Sequence, residues 1–182
     1  MSKRLFDLFF ATLGLLLTSP LLVVLYCIAV YDTQQSGIFS QKRIGQNGIP
    51  FTIYKFRTFG RSTTQPISKI GAFLRNSKLD ELPQLWNILL GNMSFVGPRP
   101  DIAGYYDALQ GEERKILELK PGVTSLASIK YAKEEELLEK QENPLLYNDT
   151  VLFPDKVKMN LDYYKNNSIY GDVKIIWKTI FH

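Results

Sequence analysis

From Leu5 to Tyr31 the chain reads LFDLFFATLGLLLTSPLLVVLYCIAVY, a run in which Asp7 is the only charged residue. In helical form it is roughly 40 Å long, enough to cross a bilayer core. Its middle is Leu17-Thr18-Ser19-Pro20. Proline removes an amide donor and clashes with the preceding turn, while the hydroxyls of Thr18 and Ser19 can bond the carbonyls so exposed. Broken at Ser19 and Pro20, the helix has two arms of roughly 20 Å, each too short for a hydrocarbon core of about 30 Å. A sharp bend would then make the segment enter and leave on one face. Lys3 and Arg4 precede the run and Lys42 and Arg43 follow it, so the positive-inside bias places both flanks in the cytoplasm. A straight, kinked spanning helix fits the hydropathy equally well. No small-residue cleavage site follows, so the segment is expected to be retained.

Outside this run the composition is that of an ordinary folded domain: 182 residues, 45% hydrophobic, with 22 Lys and Arg against 18 Asp and Glu. The resulting net charge of +4 leaves anionic lipid, nucleotide phosphate and nucleic acid open as partners. The single cysteine, Cys27, sits among Leu25, Tyr26 and Ile28, where packing or lipid contact is expected rather than redox chemistry. The only histidine is His182, at the end of the chain. General acid or base work therefore falls to carboxylates, Lys or Tyr, and a His/Cys zinc site is not expected.

After Asp32 the pattern changes. Gly37 to Arg43 and Phe51 to Thr58 read as β-prone runs joined by Gly45-Gln46-Asn47-Gly48, a hairpin. Ile67, Ile70, Phe73 and Leu74 mark an amphipathic helix over Ile67 to Asn76. A second helix begins near Asp80, carries Pro83 in its first turn and ends by Gly91. Further helices are expected over Ile102 to Leu119, Glu134 to Glu142, Pro154 to Lys165 and Asp172 to Phe181. The last has Val173, Ile176, Trp177, Ile180 and Phe181 on one side and Lys174 and Lys178 on the other. That pattern suits a membrane interface and a protein core alike.

Chemistry concentrates in Ser77-Lys78-Leu79-Asp80-Glu81-Leu82-Pro83-Gln84-Leu85, followed by Asn87 and by Gly97-Pro98-Arg99-Pro100. Adjacent carboxylates at a helix start lie where free amides and the positive helix end favour an ionised Asp or a bound phosphate. A carboxylate there can attack phosphorus or bind Mg²⁺, which takes one or two protein carboxylates together with substrate phosphates. Plain helix capping explains the same pair. Lys55 and Arg57, two apart on the second strand, face one side; with Arg75 and Arg99 they can form a phosphate-binding surface. Each is equally at home as a solvated surface charge.

These blocks, from Lys3-Arg4-Leu5-Phe6-Asp7 and Ser19-Pro20 through Tyr54-Lys55-Phe56-Arg57-Thr58 to the Asp80-Glu81 and Pro98-Arg99-Pro100 windows, resemble the bacterial sugar transferases. These are monotopic phosphoglycosyl transferases that start glycan assembly on polyprenol phosphate. The resemblance covers nearly the whole chain. It implies an α+β, mainly helical fold: a re-entrant membrane helix over residues 1–32, and a catalytic domain over 33–182 forming one compact unit with it. A small β-hairpin and amphipathic interfacial helices would surround a site facing the cytoplasm at the bacterial inner membrane. Asp80 would be the nucleophile, Glu81 its assistant, and Mg²⁺ would bind at Asp80 and Glu81. The substrates would be a UDP-sugar and polyprenol (undecaprenyl) phosphate, with UMP released. Arg75 and Arg99 are candidates to clamp phosphate, Lys55 and Arg57 weaker ones. Anionic membrane lipid is an expected partner, nucleic acid is not, and a homo-oligomer is compatible with the sequence.

The match thins after Pro121. Family members often read Arg-Pro-Gly-Ile-Thr-Gly-Leu with a Gly-Arg pair downstream, where this chain has Lys120-Pro121-Gly122-Val123-Thr124-Ser125-Leu126 and then Ile129-Lys130-Tyr131. Lys130 replaces the charge of an Arg but not its fork, so the sugar stays open. Two alternatives remain beside the covalent route. In one, lipid phosphate attacks the donor directly, with Asp80 a metal ligand only. In the other, the chain is a membrane-anchored protein that binds anions without catalysis. The nucleophile reading requires that Asp80 not be sealed away from a phosphate-sized opening.

Overall fold

Apolar length dominates the start of the chain, and in the computed structural model, which describes residues 3–60 and 67–181, it forms one helix, α1 (Lys3–Thr33). His182, the sole histidine, lies outside the described residues. Pro20 sits within α1, so the two expected arms belong to one continuous helix. The local chemistry accounts for this. The amide missing at Pro20 would have bonded the carbonyl of Leu16, and Ser19 Oγ donates to that carbonyl at 2.9 Å instead. Thr18 Oγ1 likewise donates to Gly14 O at 2.7 Å. Of the most apolar 18-residue window of α1, 11% is buried within the protein, unlike a core helix. A helix long and apolar enough to cross a membrane, with most of that surface uncovered, suggests membrane association.

The chain then forms β1 (Ile38–Ile44), a 3₁₀ turn at Gln46–Gly48, β2 (Pro50–Phe56), α2 (Lys69–Asn76), a 3₁₀ turn at Leu79–Glu81, α3 (Gln84–Leu90) and β3 (Ser94–Val96). Two further 3₁₀ stretches, Tyr106–Ala108 and Glu113–Glu118, lead to β4 (Gly122–Thr124), α4 (Leu126–Lys130), α5 (Glu134–Glu139) and α6 (Pro144–Tyr147). A π-helical turn at Asn148–Leu152 joins α6 to α7 (Phe153–Asn166), and α8 (Ile169–Ile180) follows. The expected hairpin is present: Gly45 N donates to Ile49 O at one end and Arg57 N to Gly37 O at the other, so β1 and β2 run antiparallel. Its turn uses left-handed backbone at Asn47 (φ 58°) and Gly48 (φ 76°), residues suited to it. The helices expected near residues 67–76, 134–142, 154–165 and 172–181 form with small boundary shifts.

One expected helix does not form. Ile102 to Leu119 is not a helix but two 3₁₀ pieces, because Gly104 (φ 102°) and Gly111 (φ 59°) take left-handed conformations that end helical runs.

Contacts divide the chain into two units, residues 1–43 with 50–93, and residues 44–49 with 94–182. In the first, α1 packs on α2, α3 and β2. Leu25 and Ala29 of α1 meet Phe56 and Leu74, with Leu79 and Leu82 against this cluster, so the segment around Asp80 is held by its apolar neighbours, chiefly against α2 and β2. Polar bonds fix the same frame. Arg4 donates to Ile88 O at 2.6 Å and Leu89 O at 2.9 Å, placing a cation at the C-terminal end of α3 where the helix dipole favours it. Ser68 caps α2 by accepting from Gly71 N at 2.8 Å, and donates to Asp32 Oδ2 at 2.7 Å.

In the second unit β3 and β4 pair in parallel, Ser94 with Gly122 and Val96 with Thr124. Gly97, just after β3, lies so close to the start of β4 that a Cβ on Gly122 would strike the backbone of Gly97 and a Cβ on Gly97 the carbonyl of Lys120. Ile44, Tyr106, Ile116, Leu117 and Val157 form the core, where the buried Tyr106 hydroxyl accepts from Asn160 Nδ2 at 2.8 Å. Helix α8 buries Asp172 and Ile175 and leaves Val173, Trp177, Ile180 and Phe181 exposed, Trp177 at 64%.

Candidate functional site

The site begins where α2 ends. After Ser77, Lys78 takes a left-handed conformation (φ 57°, ψ 15°) that costs a side-chain-bearing residue roughly 1–2 kcal/mol. This bend turns the chain into the Leu79–Glu81 turn, closed by Glu81 N donating to Lys78 O at 3.1 Å. Leu79 and Leu82 face the core, and Asp80 and Glu81 between them are 8% exposed each; the opening that the nucleophile reading requires is this small exposed remainder, since neither the cleft along Tyr26 to Gln35 nor the one at Arg99 is lined by Asp80. Helix α3 starts at Gln84 rather than near Asp80, with Pro83 as its N-cap instead of inside its first turn, because the Leu79–Glu81 segment forms a separate 3₁₀ turn; Gly91 (φ 87°) ends the helix as expected.

Among the described residues, Asp80 Oδ1 is the one buried side-chain oxygen or nitrogen with no hydrogen-bond partner. Burial, and secondarily the charge of Glu81, raise the Asp80 pKa above its ordinary value; Lys55, Lys78 and Arg75 oppose the rise. The helix start was expected to favour the ionised form. It does not prevail, since a three-residue 3₁₀ turn carries little dipole and the carboxyl has lost most of its water. Glu81 differs: its Oε1 accepts from Lys55 Nζ at 2.8 Å.

Of the predicted cations, Lys55 thus lies in the site and Arg75 acts on it through its field, its guanidinium 5.1 Å above the Phe59 ring. Arg57 is placed elsewhere, donating to Ser36 O at 2.9 Å and Ile38 O at 3.2 Å, at the base of the hairpin. Arg99 belongs to the second unit, where it lines a cleft with Pro98, Pro100, Tyr106, Leu117 and Pro121. Ser19 and Pro20 lie within α1.

Two residues of the acidic window, named in the sequence reading without a role, acquire one in the structure. Lys78 shapes the turn, a role that only its positive φ reveals. Asn87, fully buried, spans α3 and β2 with both ends of its amide; a polar residue on the apolar side of a helix was the available signal. Among the described residues no group of three or more His, Cys, Asp or Glu side chains could hold a metal. What exists is a pair of adjacent carboxylates, one with an orphaned oxygen. That donor set fits a hard cation that completes its shell with water and phosphate oxygens.

The family model described as bacterial sugar transferase matches residues 1–182. The chain is 36% identical over 201 residues to a UDP-glucose:undecaprenyl-phosphate glucose-1-phosphate transferase of Escherichia coli (strain K12), covering 98% of this chain and 39% of the relative. A protein of the same name from Klebsiella pneumoniae is 35% identical over 195 residues, with the same coverage of 98% and 39%. The chain therefore spans about two-fifths of the length of these curated relatives. The uncharacterized sugar transferase EpsL of Bacillus subtilis (strain 168) is 33% identical over 189 residues and matches along 98% of this chain and 85% of its own length. A match along the entire chain leaves one assignment: this protein belongs to the bacterial sugar transferase family.

Proposed function

We propose that the chain transfers a sugar-1-phosphate from a UDP-sugar to a polyprenol phosphate, with Asp80 as nucleophile. The observation that carries this reading is the orphaned Asp80 Oδ1, a buried carboxylate oxygen free of internal bonds beside a second carboxylate. Structural carboxylates with so little exposure are normally satisfied, and an unsatisfied one raised in pKa marks a functional group. The names of the relatives, transferases of glucose-1-phosphate to undecaprenyl phosphate, support the substrate class.

The bond changes are as follows. An Asp80 oxygen attacks the phosphorus attached to the sugar, and the bond from that phosphorus to the UMP oxygen breaks, its electron pair leaving with UMP. An oxygen of the polyprenol phosphate then attacks the same phosphorus and displaces the Asp80 carboxylate, which is regenerated. Glu81, oriented by Lys55, stands beside the reacting carboxyl, and Arg75, whose charge acts on Asp80, supplies a guanidinium fork for phosphate oxygens. Mg²⁺ held by Asp80 and Glu81 would neutralise charge on the diphosphate. The exposed apolar surface of α1 suits insertion into the inner membrane, as a re-entrant or a spanning helix, and the Trp177 face of α8, flanked by Lys174 and Lys178, by itself suits an interfacial helix. The test is UMP release from purified protein, Mg²⁺ and a panel of UDP-sugars before any lipid is added. A burst of UMP supports the covalent route; UMP appearing only with lipid favours direct attack.

A further inference from the structure

Strand β2 has one partner, β1, and therefore one open edge. Arg57 N bonds toward β1, so by strand alternation the backbone groups of Thr52 and Tyr54 point to the other edge. Asn87 occupies that edge from the middle of α3. Its Oδ1 accepts from Tyr54 N at 3.1 Å and its Nδ2 donates to Thr52 O at 2.7 Å. A single side-chain amide thus makes the two bonds that a neighbouring strand would make. The next residue of the strand is Lys55, whose ammonium holds Glu81 at 2.8 Å, just ahead of α3. Strand and helix are consequently pinned at two adjacent points, one of which, the Lys55 contact, bears directly on the Glu81 carboxylate beside Asp80.

We propose that Asn87 is a positioning residue for the phosphosugar transfer, acting through the Lys55–Glu81 pair by fixing the register of β2 against α3. The inference rests on the reading of Asp80 and Glu81 as the reacting carboxylates. A structural amide elsewhere in the core would contribute stability alone. Asn87 would also set rate, because displacement of a catalytic group by about 1 Å costs about a hundredfold.

A double-mutant cycle separates these roles. UMP release and thermal unfolding are measured for the full chain, Asn87→Ala, Lys55→Met and the double variant, with the UDP-sugar that the wild type turns over. Asn87→Ala is expected to lower kcat about 10- to 100-fold with KM for the donor unchanged within about twofold. In the Lys55→Met background the same change is expected to cost less than about threefold, since the contact it positions is already gone. Its unfolding cost should be alike in both backgrounds. Asn87→Asp, which keeps the acceptor for Tyr54 N and loses the donor to Thr52 O, runs through the same cycle if the alanine variant fails to fold. Equal fold-losses of kcat in the two backgrounds, or a loss confined to KM, overturn the inference. A wild type that releases no UMP overturns the functional reading and this inference with it, whereas an active wild type with an additive cycle overturns this inference alone.

Discussion

Replacing Asp80 with Asn should abolish turnover and yet make the protein more stable at neutral pH. The carboxyl is 8% exposed, one of its oxygens has no partner, and burial and then Glu81 raise its pKa above the ordinary 3.8. Below pH 3.8 Asp80 is protonated in both the folded and unfolded chain and costs nothing extra. As pH rises, the unfolded chain ionises first, and stability falls until the folded pKa is passed. At neutral pH, above the ordinary 3.8, a penalty for the buried charge is present, and asparagine removes the charged part of it. A buried polar atom without a partner costs about 1–3 kcal/mol. The amide keeps an orphaned acceptor but sheds the charge, so the gain lies at the low end, about 1 kcal/mol. For a chain of this size that is about 2–4 °C in Tm. Thermal unfolding of both proteins in the same detergent, at pH 7 and below pH 3.8, checks the sign: the gain should appear at the higher pH and vanish at the lower. Loss of the nucleophile should cost at least about 10⁴-fold in UMP release. A variant less stable than wild type at pH 7, or one that keeps its activity, would refute the reasoning.

Attack requires ionised Asp80, so the acidic limb of the UMP-release rate should lie above 3.8; Glu81→Gln, removing a cause of the rise, should move it to lower pH, and Lys55→Met, removing an opposing charge, to higher pH. Arg57 spends its donors on the carbonyls of Ser36 and Ile38, so Arg57→Met should lower Tm by about 2–6 °C and leave KM for the donor unchanged within about twofold. With Cys27 replaced by Ser, cysteines placed at Lys3 and Gln35 should both react with an impermeant thiol reagent from the cytoplasmic face of inverted membrane vesicles if α1 re-enters; labelling from opposite faces would show a spanning helix.

Local punctuation made part of this fold readable. Gly45 to Gly48 announced the hairpin, and Pro83 and Gly91 bounded α3, because turns and helix ends depend on the backbone preferences of single residues. The same logic, applied to Gly104 and Gly111, would have broken the helix expected over Ile102 to Leu119. The β3–β4 pair was not readable: its strands are three residues each, they lie far apart in the chain, and what joins them is the close approach of Gly97 and Gly122, which no local pattern encodes. In α8 the periodicity revealed an apolar face but not its neighbour, since lipid and protein core select the same residues. At the site, the acidic pair and Lys55 were visible as charges in a specific order. The raised pKa of Asp80 was not, because desolvation follows from packing around the side chain rather than from the residues beside it in sequence. Asn87 looked like one polar residue in a helix until β2 was placed against it.

The central claim is a covalent bond between Asp80 and the phosphosugar, and intact-protein mass spectrometry reads it directly. After incubation with Mg²⁺ and a UDP-sugar, without lipid, the chain should gain the mass of one sugar phosphate, mapped by peptide fragmentation to Asp80 and lost when polyprenol phosphate is added. An unmodified chain that nonetheless turns over once lipid is present would contradict it.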